Sequence, residues 1–181
     1  MKDTLSTKAP RRHYQAPPPS AVSFEDEFWA PRIKANRERG LEFQFAQLER
    51  IGAIQALDQQ PRPLTIPRGP WGGTTQMFWD SDIAKWLEAA SYALATNPDP
   101  ALDAQVDDII DRLAKAQQED GYLNTFFTAH DPDKRFTNER DWHELYCAGH
   151  LIEAAVAHFE ATGKRTLLET MERYVALLSK V

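Results

Sequence analysis

The sequence predicts an all-α protein built from antiparallel helical hairpins. Three observations lead there. Five segments repeat apolar residues at helical intervals, and the connections between them alternate between a short turn and a long, aromatic-rich loop. No βαβ pattern, glycine-rich phosphate loop or heptad repeat appears. At 181 residues, 42% apolar and 27% charged, the composition is that of one soluble globular domain. A chain of this size hides roughly 70% of its unfolded surface.

Residues 1–20 are polar and end in Pro17-Pro18-Pro19, which reads as a mobile lead-in to a domain spanning 21–181. Val22, Phe24 and Phe28 then suggest a short N-terminal extended segment, a strand or an extended anchor, over Ala21–Trp29. Pro31 suits a first helical turn. Ile33, Leu41, Phe45, Leu48 and Ile51 supply the stripe of a first helix to about Leu57, weakened locally by Gly40. Residues 58–79 hold four prolines and three glycines and form a first long loop.

A second helix starts at Ser81 or Asp82, with Ile83, Leu87, Ala90 and Leu94 on one face. Asn97-Pro98-Asp99-Pro100 stops it and restarts the chain, with Asp99 as N-cap and Pro100 in the first turn. The third helix carries Leu102, Val106, Ile109, Leu113 and Ala116 and ends before Asp120-Gly121. Gly121–Trp142 reads as a second long loop. A fourth helix runs from about His143 to Ala161, with Leu145, Gly149, Ile152, Val156 and Phe159 as its core face, and stops at Gly163. A fifth runs from about Arg165 to Val181 without a stop signal.

Composition narrows the functional classes. A formal charge of −6, with basic residues concentrated only at Lys8, Arg11 and Arg12, argues against a nucleic-acid partner. No apolar run reaches the ~20 residues of a membrane span, and the N-terminus lacks the apolar core of a secretory signal. A single cysteine excludes an internal disulfide and fits a reducing compartment, so the expected location is cytoplasmic.

Three features bear on chemistry. D-W-H-E-L-Y-C-A-G-H, Asp141–His150, begins like the zinc-protease pattern H-E-x-x-H, but Cys147 stands where the second histidine should be. His143, Cys147 and His150 share a helical face and offer zinc-competent ligands, yet three ligands on one helix rarely converge. Packing is the preferred reading of Cys147 and His150. His143, at a helix mouth after a long loop, reads as a ligand-binding residue or a capping one. Asp80 and Asp82 are either a catalytic carboxylate pair or an N-cap and a first-turn acid. Aromatics gather in or beside the two long loops, among amides and hydroxyls. That mixture suits carbohydrate, whose C–H faces stack on rings and whose hydroxyls need donors and acceptors.

Four motifs in order, FEDEFW, FWDSDIAKWLEAASY, QQEDGYLNTFF and WHELYCAGHLIEAAVAHFEATG, resemble the N-terminal part of glycoside hydrolase family 127, the β-L-arabinofuranosidases, over roughly residues 23–181. The resemblance implies part of an (α/α) toroid, with the extended N-terminal segment reaching toward β-sandwich material. It implies a fragment of a retaining glycosidase acting on β-L-arabinofuranosides or related glycans. The family's cysteine nucleophile sits on a zinc ion held by further cysteines and a glutamate, in motifs beyond HELYC. Cys147 is not in the nucleophile's motif, so no catalytic residue and no metal ligand is expected in this chain, and zinc is expected only in a full-length member. By the same resemblance His143 matches a histidine that contacts the sugar and Gln44 a glutamine that does so. Asp80, Asp82, Tyr122 and Asn124 fall in family motifs as further substrate-binding candidates. The expected partners are a carbohydrate and either the C-terminal portion of the enzyme or a second copy of the chain. The alternatives are a noncatalytic carbohydrate-binding or helical scaffold protein, and a metal-dependent hydrolase built on the His143 helix.

Overall fold

A computed structural model describes residues 17–59, 63–64 and 66–181. Most of the expected lead-in, and its basic residues, lie outside the described residues. Pro19–Ala21 forms one 3-10 turn, and Val22 is extended at φ −115°, ψ 124°. No strand occurs among the described residues: between the 3-10 turn and the first helix, residues 22–25 are irregular and residues 26–28 form a bend and turn, so the expected strand is absent. The apolar side chains Val22, Phe24, Phe28 and Trp29 are exposed.

The first predicted helix is three pieces. Helix α1 (Trp29–Ala35) passes through a π-helical turn at Asn36–Gly40 into α2 (Leu41–Ile51). The π turn falls where Gly40 weakens the helix, which is where an extra residue is accommodated most easily. Gly52, left-handed at φ 89°, ends α2, and the single turn α3 (Ala53–Ala56) follows. Leu41 and Leu48 are buried as expected, whereas Ile33 and Ile51 are exposed.

Helix α4 (Trp79–Thr96) is the centre of the molecule. It begins two or three residues earlier than the expected Ser81 or Asp82, led in by a 3-10 turn at Thr75–Phe78. Asp80 and Ser81 therefore lie inside the helix rather than capping it. The predicted face, Ile83, Leu87, Ala90 and Leu94, is buried, and so are Trp79, Ala84, Trp86 and Ser91. Burial at these positions means that the helix is packed on several sides, with Asp82, Lys85 and Tyr92 left as one open stripe. On one side lies α2, whose Leu41 carbonyl accepts the Trp86 indole N–H at 3.0 Å. On another lies α7 (Glu144–Thr162). Lys85 sits over Tyr146, and Glu88 meets His150 and Glu153, so α4 and α7 run parallel from a common end.

Helix α5 (Pro100–Ala116) matches its expectation closely: Asp99 Oδ1 accepts from the N–H groups of Ala101 and Leu102, and Val106, Ile109, Leu113 and Ala116 are buried. Helix α8 (Thr166–Leu178) packs on α5 and α7. Gly121, at φ 93°, passes so close to α8 that a Cβ would lie 2.7 Å from the Arg173 carbonyl oxygen, so only glycine fits there.

Two expectations need correction. Gly121–Trp142 is not all loop: it holds helix α6 (Thr125–His130), capped by Asn124 Oδ1 accepting from Phe127 N–H at 3.0 Å, and a 3-10 turn at Pro132–Lys134. The core face of α7 is also not the predicted one. Cys147, Ala148, Leu151, Ala154, Ala155 and His158 are buried, while Leu145, Val156 and Phe159 are exposed. The alanines let α7 approach α4 closely, and backbone proximity outweighs the larger side chains on the other face. Gly163, left-handed at φ 75°, ends α7 as predicted.

Candidate functional site

The long loops before α4 and α7 emerge at the shared end of these parallel helices and are tied together there. The Arg68 guanidinium pairs with the Asp131 carboxylate and lies 5.5 Å from the centre of the Phe126 ring. Between the loops and the two helix starts opens a cleft of about 510 Å³, lined by Ile51, Ile66, Thr75, Phe78, Trp79, Ser81, Asp82, Lys85, His143 and Tyr146. A smaller cavity of about 90 Å³ lies beyond Trp79, between Gln76 and His130. It has room for only about three waters, so the large cleft is the candidate site.

His143 stands at the mouth of α7 with φ 58°, ψ 25°, the left-handed conformation that β-carbon sterics disfavour. It occupies the N-cap position but makes no side-chain cap hydrogen bond, which removes the capping reading. Its Nδ1 is 2.9 Å from the Asp141 carbonyl oxygen. A carbonyl only accepts, so Nδ1 carries a proton, and in the neutral ring Nε2 keeps the lone pair. The ring packs edge-on between Phe78 and Tyr146, with centroids 4.6 and 5.5 Å away. An acceptor nitrogen flanked by aromatic rings is suited to a hydroxyl-bearing ligand.

The other sequence candidates occupy different layers. Asp82 lines the cleft, half-exposed, its Oδ1 3.7 Å from the Lys85 ammonium. Burial raises the Asp82 carboxyl pKa, and Lys85 opposes the rise. Asp80 lies beneath, 2% exposed, its two oxygens accepting from the backbone N–H and the hydroxyl of Thr125. It joins the start of α4 to α6. Tyr122 and Asn124 are fully buried. The Tyr122 hydroxyl donates to the Glu144 carboxylate, which also accepts from Phe136 N–H at 2.8 Å. The Glu of the HELYC motif is thus fully buried and bolts the second loop to the first turn of α7, next to His143. Gln44 is exposed on α2, outside the cleft lining, although Ile51, two turns on along the same face, lines it. Asp80 and Asp82 therefore do not face one another across a ligand. Lys85 and Tyr146 escaped notice in the sequence, though each lies three residues after a candidate on the same helix, the i, i+3 spacing that shares a face.

Cys147 is fully buried, donates to the Met77 carbonyl at 3.5 Å, and has its pKa pushed up by burial, so it remains a thiol rather than a ligand thiolate. The groups of three or more ligand-type side chains among the described residues are Glu88–His150–Glu153 and Asp103–Asp107–His158, and neither includes His143 or Cys147. The second is already bridged by Lys164, whose ammonium lies 2.7 Å from each aspartate. The residues present do not fit the family's cysteine-rich zinc centre.

Residues 21–181 match the family described as Beta-L-arabinofuranosidase, GH127 catalytic domain, and the chain belongs to it. It is 46% identical over 101 residues to the non-reducing end β-L-arabinofuranosidase of Bifidobacterium longum subsp. longum, a match covering 54% of this chain and 15% of that protein. The fold is similar to the crystal structure of a GH127 β-L-arabinofuranosidase from Geobacillus stearothermophilus T6, with TM-score 0.78 and 44% identity, over 88% of this chain and 26% of that one. A second solved structure, a GH127 β-arabinofuranosidase, gives TM-score 0.77 and 33% identity over 90% of this chain and 26% of its own. The chain thus spans about a quarter of the solved relatives and less of the curated one.

Proposed function

We propose that this chain is the sugar-gripping N-terminal part of a β-L-arabinofuranosidase and that it contributes binding residues without the nucleophile or zinc ligands. The observation that carries the reading is His143, at the helix mouth in an aromatic cleft, with its acceptor nitrogen fixed by the Asp141 carbonyl. His143 Nε2 accepts from a sugar hydroxyl, Asp82 accepts from another, and Gln44 reaches the ligand from the flank of α2. Asp80, Tyr122 and Asn124 act one layer down, holding α6, the second loop and the start of α7 in register with His143. In this reading binding and hydrolysis separate, and the chain supplies the binding.

Calorimetric titration of the 181-residue chain with methyl β-L-arabinofuranoside tests the binding half. Saturable binding is expected, with loss of at least about tenfold in affinity for His143→Ala. Incubation with an aryl β-L-arabinofuranoside tests the other half, and no aryl alcohol is expected. Robust turnover that survives Cys147→Ser would overturn the division between binding and chemistry.

A further inference from the structure

At the opposite end of α7 from the cleft, the first turns of α5 meet the turn that follows Gly163. Roughly 20 Å of helix separates His158 there from His143. Asp103 and Asp107 stand at i, i+4 on α5 and so share a face. A carboxylate oxygen of each and one ring nitrogen of His158 all lie within 4.8 Å of one another. His158 is 1% exposed, yet its ring is poorly bonded. Nδ1 has no hydrogen-bond partner. Nε2 has only the Thr162 hydroxyl at 3.5 Å, beyond the usual hydrogen-bond range, and that hydroxyl already donates to the His158 carbonyl at 2.7 Å. A buried imidazole left in this state costs stability unless another group takes up its bonding capacity. Burial lowers its pKa against the pull of Asp107 and Asp103, which favours the neutral ring with a lone pair to give.

Two carboxylates and a neutral imidazole make up a donor set suited to a divalent cation such as zinc. A cation already stands among them: the Lys164 ammonium, 2.7 Å from an oxygen of each aspartate. It satisfies the carboxylates and leaves His158 Nδ1 without a partner. Lys164 is 37% exposed and the aspartates 38% and 44%. Ion pairs this open to water are weak, and the long lysine stem can swing into solvent.

We propose that Asp103, Asp107 and His158 form a divalent-cation site of the zinc type, in which the Lys164 ammonium is a built-in stand-in that gives way when the metal binds. The ion draws the three donors in to about 2.0–2.2 Å, and water completes its shell on the open side. Bound there, it ties the start of α5 to the end of α7. The site is independent of the reading of His143 and takes no part in gripping sugar.

Calorimetric titration of the untagged 181-residue chain with zinc chloride tests it. One zinc per chain is expected, with a melting temperature raised by several degrees at saturation. Asp107→Asn, on the helix surface, and His158→Gln should each weaken binding at least about tenfold. Lys164→Met removes the competitor and should tighten binding about tenfold, which a lysine with a purely structural role would not do. His150→Ala, in the neighbouring Glu88–His150–Glu153 group, should leave the titration unchanged. No binding by the unaltered chain overturns the proposal, as does binding that survives Asp107→Asn, that is lost with His150→Ala, or that Lys164→Met fails to tighten. A melt of each variant without zinc separates loss of the site from loss of the fold, and Asp107→Asn decides the matter if His158→Gln does not fold.

Discussion

His143 combines a left-handed backbone with a ring that lines the cleft, and the two properties can be separated. Left-handed φ costs a residue bearing a β-carbon about 1 kcal/mol relative to glycine. His143→Ala keeps the strain and loses the ring contacts with Phe78 and Tyr146, so a loss of about 1 kcal/mol or more is expected in urea melts. His143→Gly relieves the strain and should melt within about 0.5 kcal/mol of the parent, yet bind no sugar. A Gly variant that retained affinity would remove histidine from the site. Asp80 gives a pH signature. Burial raises its carboxyl pKa, opposed by the Thr125 hydrogen bonds. A group with a raised folded-state value holds its proton more tightly when folded. Its contribution is therefore full below the ordinary aspartate value near ~4 and is lost as pH rises through the folded value. Asp80→Asn lacks this loss, so its destabilisation should shrink steadily as pH increases above about 4. Denaturant titrations at several pH values would show it; a pH-independent difference would mean that Asp80 titrates normally.

At the scale of the helix, the strength of each local signal decided how much could be read in advance. Helix α5 was legible end to end because Asp99, Pro100 and the Leu102–Ala116 stripe all state the same boundary and face. Asp99→Ala removes two cap hydrogen bonds and should cost about 1 kcal/mol, measured by thermal denaturation. Helix α7 was legible in extent but not in orientation. It carries two apolar faces, one of large side chains and one of alanines, and periodicity alone ranks the large ones first. The alanine face won because it permits close contact with α4. Ala155→Leu should therefore overpack that contact and cost about 1–3 kcal/mol, whereas Val156→Ala, on the exposed face, should cost little. Helix α6 was missed because six residues are too few to show a period, although Asn124 three residues before Phe127 is a cap signal. Likewise His143 was visible from its motif, but the burial of Asp80, Tyr122 and Asn124 depends on contacts between loops far apart in sequence.

Across the whole molecule, one side is closed and another is open. Helix α4 is buried on several sides, but α7 exposes Leu145, Val156 and Phe159, with Val175 of α8 exposed as well. A helix apolar on two faces is characteristic of a position between two neighbours, in keeping with relatives several times the length of this chain. The isolated chain should self-associate: light scattering at high concentration is expected to exceed the 20.6 kDa of one copy, and Val156→Lys with Phe159→Lys should bring it back. A single species of one-copy mass before substitution would remove that expectation. No helix among the described residues is long and apolar enough to cross a membrane. At the edge of the cleft, Trp71 stacks on Phe78 with ring centroids 6.2 Å apart and lies flat against Gly73, where an added Cβ would come within 1.7 Å of the indole, and close to Gly69, where it would come within 2.6 Å. The indole is thus seated on bare backbone, like a hinge pin in a shallow socket. One methyl group at position 73 would lift it off Phe78 without altering any cleft-lining side chain, which makes that position a dial for the reach of the binding surface.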